Sequence, residues 1–203
     1  RRLRYNAGVR NLTRHTRLHP GSLILPLFVR TGTKIRQEIS SMPGQFQLSI
    51  DELVEEAKQA RDLGIGGIIL FGIPDEKDDQ GSDALHQSGI VQQAVAEVKA
   101  AIPEILVLTD LCMCEYTDHG HCGILHEQVG ITDVSNDPTL KLLGQQAVTH
   151  AQQGADCSEA AGEILGHWPP RGALAPRGPQ LKPARVPWRP RCSQPVRLVA
   201  PPL

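Results

Sequence analysis

The sequence predicts an α/β protein built on a parallel sheet. Three observations carry this. Apolar strand-like runs begin at Ser22, Ile65 and Ile105, about 40 residues apart, a spacing that leaves room for a crossover helix. The segments between them carry apolar residues at the helical period. The order is therefore strand, helix, strand, helix, strand, helix, which both doubly wound sheets and the eight-fold barrel share. A barrel of that kind needs roughly 250 residues. The chain has 203 and shows three legible βα units, so a barrel here is an incomplete one.

Each element has its own signals. Residues 1–20 precede the first strand and hold Arg1, Arg2, Arg4, Arg10, Arg14 and Arg17, a basic segment that reads as a solvated end or as an arm around another subunit. Ser22–Val29, "SLILPLFV", is a short apolar run that reads as a buried strand, with Pro26 at an edge or irregularity because proline cannot donate to a ladder. In "LSIDELVEEAKQARDLG", Ser49 and Glu52 have capping-box spacing. Ile50, Leu53, Val54, Ala57, Ala60 and Leu63 mark one face of that helix, and Gly64 is placed to stop it. Ile65–Ile73 is the second strand. "GIGG" precedes this strand, whereas a phosphate-binding glycine loop follows a strand and opens a helix. After the polar run Asp75–Asp79, which reads as a solvated loop, a second helix has the stripe Ile90, Val91, Ala94, Val95 and Val98 and ends before Pro103. Ile105–Leu111 is the third strand. The next helix places Asp137 as N-cap and Pro138 at its first position, with Leu140, Leu143, Ala147 and Ala151 on one face.

After Asp156 the character changes. Ten of the sixteen prolines lie there, with six arginines and one lysine against two glutamates, and no helical or strand period is present. Residues 157–203 read as a disordered, basic Pro/Arg tail. The organisation is thus an arm over 1–20, a partial β/α unit over 21–156 and the tail.

The net charge of −1 gives no electrostatic case for nucleic acid or an anionic membrane. No apolar run approaches the roughly 20 residues of a membrane span. Five cysteines, three of them between positions 112 and 122, suit a metal site in a reducing cytoplasm better than a disulfide framework.

The chemistry concentrates in "DLCMCEYTDHGHCG", Asp110–Gly123. It follows the third strand, at the sheet end where α/β folds place their active sites. Cys112, Cys114 and Cys122 can fill three corners of a tetrahedral zinc site. Three protein ligands and an open fourth position is the catalytic pattern; His119 or His121 closing the fourth would make the zinc structural. A redox role for the C-x-C pair, and cysteines with no ligand, are the other readings. Asp110 is a support for the ligands, a proton-transfer group or a loop cap.

These residues resemble the zinc loop of the 5-aminolevulinate dehydratase (porphobilinogen synthase) family. "RRLR", "LPLFV", "SMPG" at Ser41–Gly44, "LFGIP" at Leu70–Pro74, "KDDQGSDA" at Lys77–Ala84 and "NDPTL" at Asn136–Leu140 match too, in the family's order. The resemblance covers residues 1–156. It implies an eight-fold β/α barrel, of which this chain holds about three units, with an arm that wraps a neighbouring subunit in a homo-oligomer. It implies condensation of two 5-aminolevulinate molecules to porphobilinogen, with loss of two waters, on the route to tetrapyrroles. It implies zinc on Cys112, Cys114 and Cys122, supporting roles for Asp110 and His121, and magnesium as a further cation of the intact member. It also implies two Schiff-base lysines on later strands, and none of the lysines here matches them. The expectation is an inactive truncated synthase whose tail reads as out-of-frame sequence. The alternatives are a non-catalytic zinc-binding module, or a regulator that joins a full-length synthase.

Overall fold

The computed structural model describes residues 2–128 and 131–160, so most of the tail, with Lys182, lies outside the described residues. Helix α1 (Ala7–Leu12) follows a short 3-10 turn and is capped by Asn6, whose side chain accepts the Val9 N–H at 2.8 Å. Around it Leu3, Tyr5, Leu12 and Leu18 are exposed.

The main sheet contains β1 (Ile24–Arg30), β2 (Arg36–Glu38), β3 (Phe46–Leu48), β4 (Gly67–Ile73), β5 (Leu106–Leu111) and β8 (Cys157–Ala160), in the order β2-β3-β1-β4-β5-β8. Only β2–β3 is antiparallel. A separate antiparallel pair, β6 (Leu125–Gln128) and β7 (Ile131–Val134), lies between the cysteine loop and the last helix. The crossovers are α2 (Ile50–Asp62), α3 (Ile90–Ala101) and α4 (Asn136–Gln152). The predicted strand–helix alternation is therefore present, and β8 adds a further parallel strand beside β5 at Cys157–Ala160, where the sequence reading begins the tail.

Alternation along the strands decides what is buried. Leu27 and Val29, Ile68 and Leu70, and Val107 form one core with Leu53, Ala57 and Ala60 of α2 and Val91, Ala94, Val95 and Val98 of α3. The opposite strand face carries Phe28 and Phe71, stacked at 5.4 Å, and is less covered: Ile24 and Leu106 are 49% and 43% exposed. Pro26 lies where β1 has β4 on one side and, among the described residues, no strand on the other.

Helix α2 stops as predicted. Gly64 takes φ +75, its N–H bonds Arg61 O at 2.8 Å and the Ile65 N–H bonds Ala60 O at 3.0 Å, the paired bonds of a Schellman ending. Three details differ from the sequence reading. The capping box does not form: Ser49 is buried against Ile35, giving its N–H to Ile35 O at 3.0 Å and accepting the Ile35 N–H on its hydroxyl at 2.9 Å. Leu63 is 72% exposed because it already belongs to the helix stop. Helix α4 starts at Asn136 behind Ser135, so Pro138 is its third residue, and its buried residues are Thr139, Leu143, Gln146, Thr149 and His150, with Ala151 exposed.

That polar face is a network. His150 Nδ1 meets Thr109 Oγ1 at 2.9 Å, and Thr109 Oγ1 meets Ser158 Oγ at 2.9 Å. Gln92 Nε2 donates to Ala84 O and to Thr149 Oγ1, both at 2.9 Å. At the opposite end of the sheet from the cysteine loop, Lys99 Nζ donates to Pro103 O, Ile105 O and Asp156 at 3.2, 3.0 and 2.8 Å, which ties the start of β5 to the entry of β8.

Burial lowers the His150 pKa from 6.5 to about 4, so the folded state holds the imidazole neutral. The unfolded chain binds the extra proton between those values, so this contribution is complete above about pH 6.5 and is lost as pH falls towards about 4. The loss should be roughly 3 kcal/mol at most. Urea unfolding of the chain at about pH 7 and about pH 5 measures it, and His150→Gln should flatten the difference.

Candidate metal centre

The cysteine loop leaves β5 at Leu111 and turns at once. Met113 is fully buried, and its carbonyl accepts the N–H groups of Tyr116 at 3.0 Å and Thr117 at 2.9 Å. This tight turn holds Cys112 at the strand end and Cys114 one step on. Gly120, at φ +72, supplies the left-handed residue that lets the chain reverse and return Cys122. The result brings the three predicted ligands together. Cys112 Sγ lies 3.0 Å from Cys114 Sγ and 3.4 Å from Cys122 Sγ, and all three sulfurs lie within 4.8 Å of one another. Among the described residues no histidine or carboxylate shares that cluster.

The loop is braced against the segment after β4. Asp78 N–H donates to Tyr116 O at 3.3 Å, and Asp118 N–H donates to Asp78 O at 3.0 Å. The Asp78 carboxylate caps its own turn, accepting from Gln80 and Ser82, and the Ser82 bonds hold its pKa below the usual range. Asp75–Asp79 is thus partly a built segment: Asp75, Glu76, Lys77 and Asp78 line a cavity of about 380 Å³ with Asp83 and His86. A second cavity, about 580 Å³, lies between the loop and α4 and is lined by His119, Ile124, Leu125, Lys141 and Leu142.

Burial raises the pKa of the Cys112 and Cys114 thiols, and their neighbouring sulfurs add to the rise at Cys112. Burial, and then the Asp110 charge, push the Glu115 carboxyl up to about 8, against the opposing charge of Lys77. The sequence reading did not single out Glu115; its adjacency to Cys114 was the available signal. Asp110 is half-buried on β5. His121 is exposed, its N–H donates to His119 Nδ1 at 3.1 Å, and the two rings sit 5.6 Å apart.

The donor set fits a thiophilic ion. Zinc–sulfur bonds of about 2.3 Å in a tetrahedron separate sulfurs by about 3.8 Å, so the Cys112 sulfur needs to part from each of the other two by less than about 1 Å. Three soft donors and no hard oxygen among them suit zinc or another thiophilic ion and not magnesium or calcium.

Comparisons with known proteins show the family. The family model for delta-aminolevulinic acid dehydratase matches residues 1–163. The chain belongs to that family. Delta-aminolevulinic acid dehydratase of Halalkalibacterium halodurans is 50% identical over 156 residues, 77% of this chain and 46% of the relative. That of Synechocystis is 49% identical over 166 residues, 82% of this chain and 51% of the relative. The Toxoplasma gondii enzyme, solved in complex with its reaction product porphobilinogen, is 36% identical with a TM-score of 0.75 over 79% of this chain and 46% of its own. The chain therefore spans about half the length of the dehydratases it matches. The match runs past Asp156, in keeping with β8. Among the described residues no helix is long and apolar enough to cross a membrane.

Proposed function

We propose that this chain is the metal-loop half of a zinc-dependent porphobilinogen synthase, the cytoplasmic enzyme that condenses two molecules of 5-aminolevulinate, and that the half alone is inactive. One observation carries the reading: three thiols within 4.8 Å of one another at the carboxyl end of a parallel strand, with no further ligand in the cluster among the described residues. Cys112, Cys114 and Cys122 would hold zinc, which when bound supplies a Lewis acid beside the substrate. The chain's own residues set the surroundings. Asp110 places a carboxylate at the strand end, and burial beside it pushes the Glu115 carboxyl up to about 8. His121 stands at the exposed rim of the loop. The consecutive parallel strands β1, β4, β5 and β8 are the first half of an eight-strand barrel, and the arm over 1–20, with its exposed Leu3, Tyr5, Leu12 and Leu18, embraces a second copy in a homo-oligomer. Magnesium belongs to the intact assembly. The basic sequence beyond the matched residues 1–163 is out-of-frame.

Reading the genomic DNA downstream of the Glu163 codon in all three frames tests this. A second frame should resume family sequence with strand-end lysines, and the restored chain should form porphobilinogen in a zinc-dependent way. Three frames without family sequence would overturn the proposal.

A further inference from the structure

We propose that Thr139, in the first turn of α4, is the positioning residue for the third thiol of the metal loop, so that a helix remote in sequence sets how tightly the metal is held. The proposal rests on the reading of Cys112, Cys114 and Cys122 as ligands. Cys112 and Cys114 are placed by β5 and the Met113 turn. Cys122 has no such framework of its own: it returns across eight residues, and its position depends on what grips the chain around it.

Thr139 supplies that grip. Its side chain is fully buried, and its hydroxyl makes two bonds, accepting the Ile124 N–H at 3.0 Å and donating to Ser135 O at 2.6 Å. The bond to Ser135 is ordinary helix behaviour for threonine, and alone it would say nothing. The bond to Ile124 reaches outside the helix to the second residue after Cys122. The Ser135 N–H completes the clasp by donating to Ile124 O at 2.7 Å, so both backbone groups of Ile124 are held from the start of α4. Between Cys122 and Ile124, Gly123 is pressed directly on Thr139: a Cβ there would lie 2.3 Å from Thr139 Oγ1, 2.4 Å from its Cγ2 and 2.8 Å from Val134 Cγ1. On the other side of Cys122, the buried Thr117 hydroxyl donates to His121 O at 2.8 Å. Cys122 is thus bracketed by two buried threonines that touch its neighbours' backbone. Groups that orient ligands in this way typically change metal affinity 10–100-fold.

The test uses the full reduced chain, titrated with zinc against a chromophoric chelator and with cobalt for its thiolate charge-transfer bands. Thr139→Val removes the hydroxyl at constant shape and should lower zinc affinity by about 10–100-fold and shift the cobalt bands. Thr139→Ser, which keeps the hydroxyl, should restore both to near the parent. Gly123→Ala leaves every hydroxyl in place but pushes the same limb off Thr139, and should weaken zinc comparably; it keeps the test intact if Thr139→Val folds poorly. Parent-like affinity in a folded Thr139→Val, or a loss in Thr139→Ser equal to that in Thr139→Val, overturns the role of the hydroxyl, and parent-like affinity in Gly123→Ala overturns it where Thr139→Val does not fold. No metal uptake by the parent chain overturns the ligand reading itself, and this proposal with it.

Discussion

Loaded with zinc and mixed with 5-aminolevulinate, the 203-residue chain should form no porphobilinogen above the uncatalysed background. The family resemblance implies two lysines that bind substrate as Schiff bases, and such an amine must be made nucleophilic by burial in an apolar pocket or by a neighbouring cation. No described lysine has that setting. Lys34 is exposed, in a left-handed turn at φ +55. Lys58 pairs with Glu55 at 2.6 Å. Lys77 is exposed among Asp75, Glu76 and Asp78. Lys99 spends its ammonium on two carbonyls and Asp156 at the opposite end of the sheet from the cysteine loop. Lys141 is exposed on α4. A metal loop without those amines can polarise a carbonyl but cannot hold two substrates in register, and orientation of that kind is worth effective molarities of about 10⁵–10⁸ M. The restored full-length chain should therefore exceed this one by at least about 10⁶-fold in a colorimetric pyrrole assay. Zinc-dependent turnover by the short chain would overturn the argument, and borohydride trapping with mass spectrometry would then name the lysine responsible.

What the sequence made legible followed from pattern. The stripes Leu53, Ala57, Ala60 and Ile90–Val98 mark their helices because their buried residues are apolar at the helical period. Helix α4 defeated the same reasoning. Thr139, Thr149 and His150 are buried in hydrogen bonds to distant partners and Gln146 is buried beside them, so a hydrophobicity stripe puts the wrong residues inside. β8 reads "CSEA", with little apolar content, and exists through its backbone ladder with β5. β2, β3, β6 and β7 are three or four residues long, too short for a period to show. The three cysteines announce themselves because ligand atoms cluster in sequence as well as in space. Their cradle does not: Thr117, Gly123 and Thr139 look like ordinary loop and helix residues until Ile124 is seen bonded across 15 positions. Asp75–Asp79 reads as a solvated acidic loop for the same reason, since its backbone bonds to Tyr116 and Asp118 leave no local signature.

Replacing Cys112 with serine should weaken metal binding by about 10²–10³-fold. Cys112 is the most buried of the three thiols and the one whose sulfur lies within 3.4 Å of both others. Serine offers a harder, shorter donor that stays protonated at neutral pH. Four-ligand zinc sites bind with roughly 10–16 kcal/mol, so one ligand accounts for roughly 3 kcal/mol and its loss for about 10²–10³-fold in affinity. The pH dependence gives an independent check. Zinc requires thiolates, whereas burial raises the pKa of the Cys112 and Cys114 thiols, so uptake must displace protons and affinity must rise with pH. Titrations from about pH 6 to about pH 8 should show that rise in the parent chain, with a slope smaller by one proton in Cys112→Ser. A variant that keeps parent affinity and parent proton release would show that the metal sits elsewhere. His119 and His121, at the exposed rim of the same loop, would then be the first residues to replace.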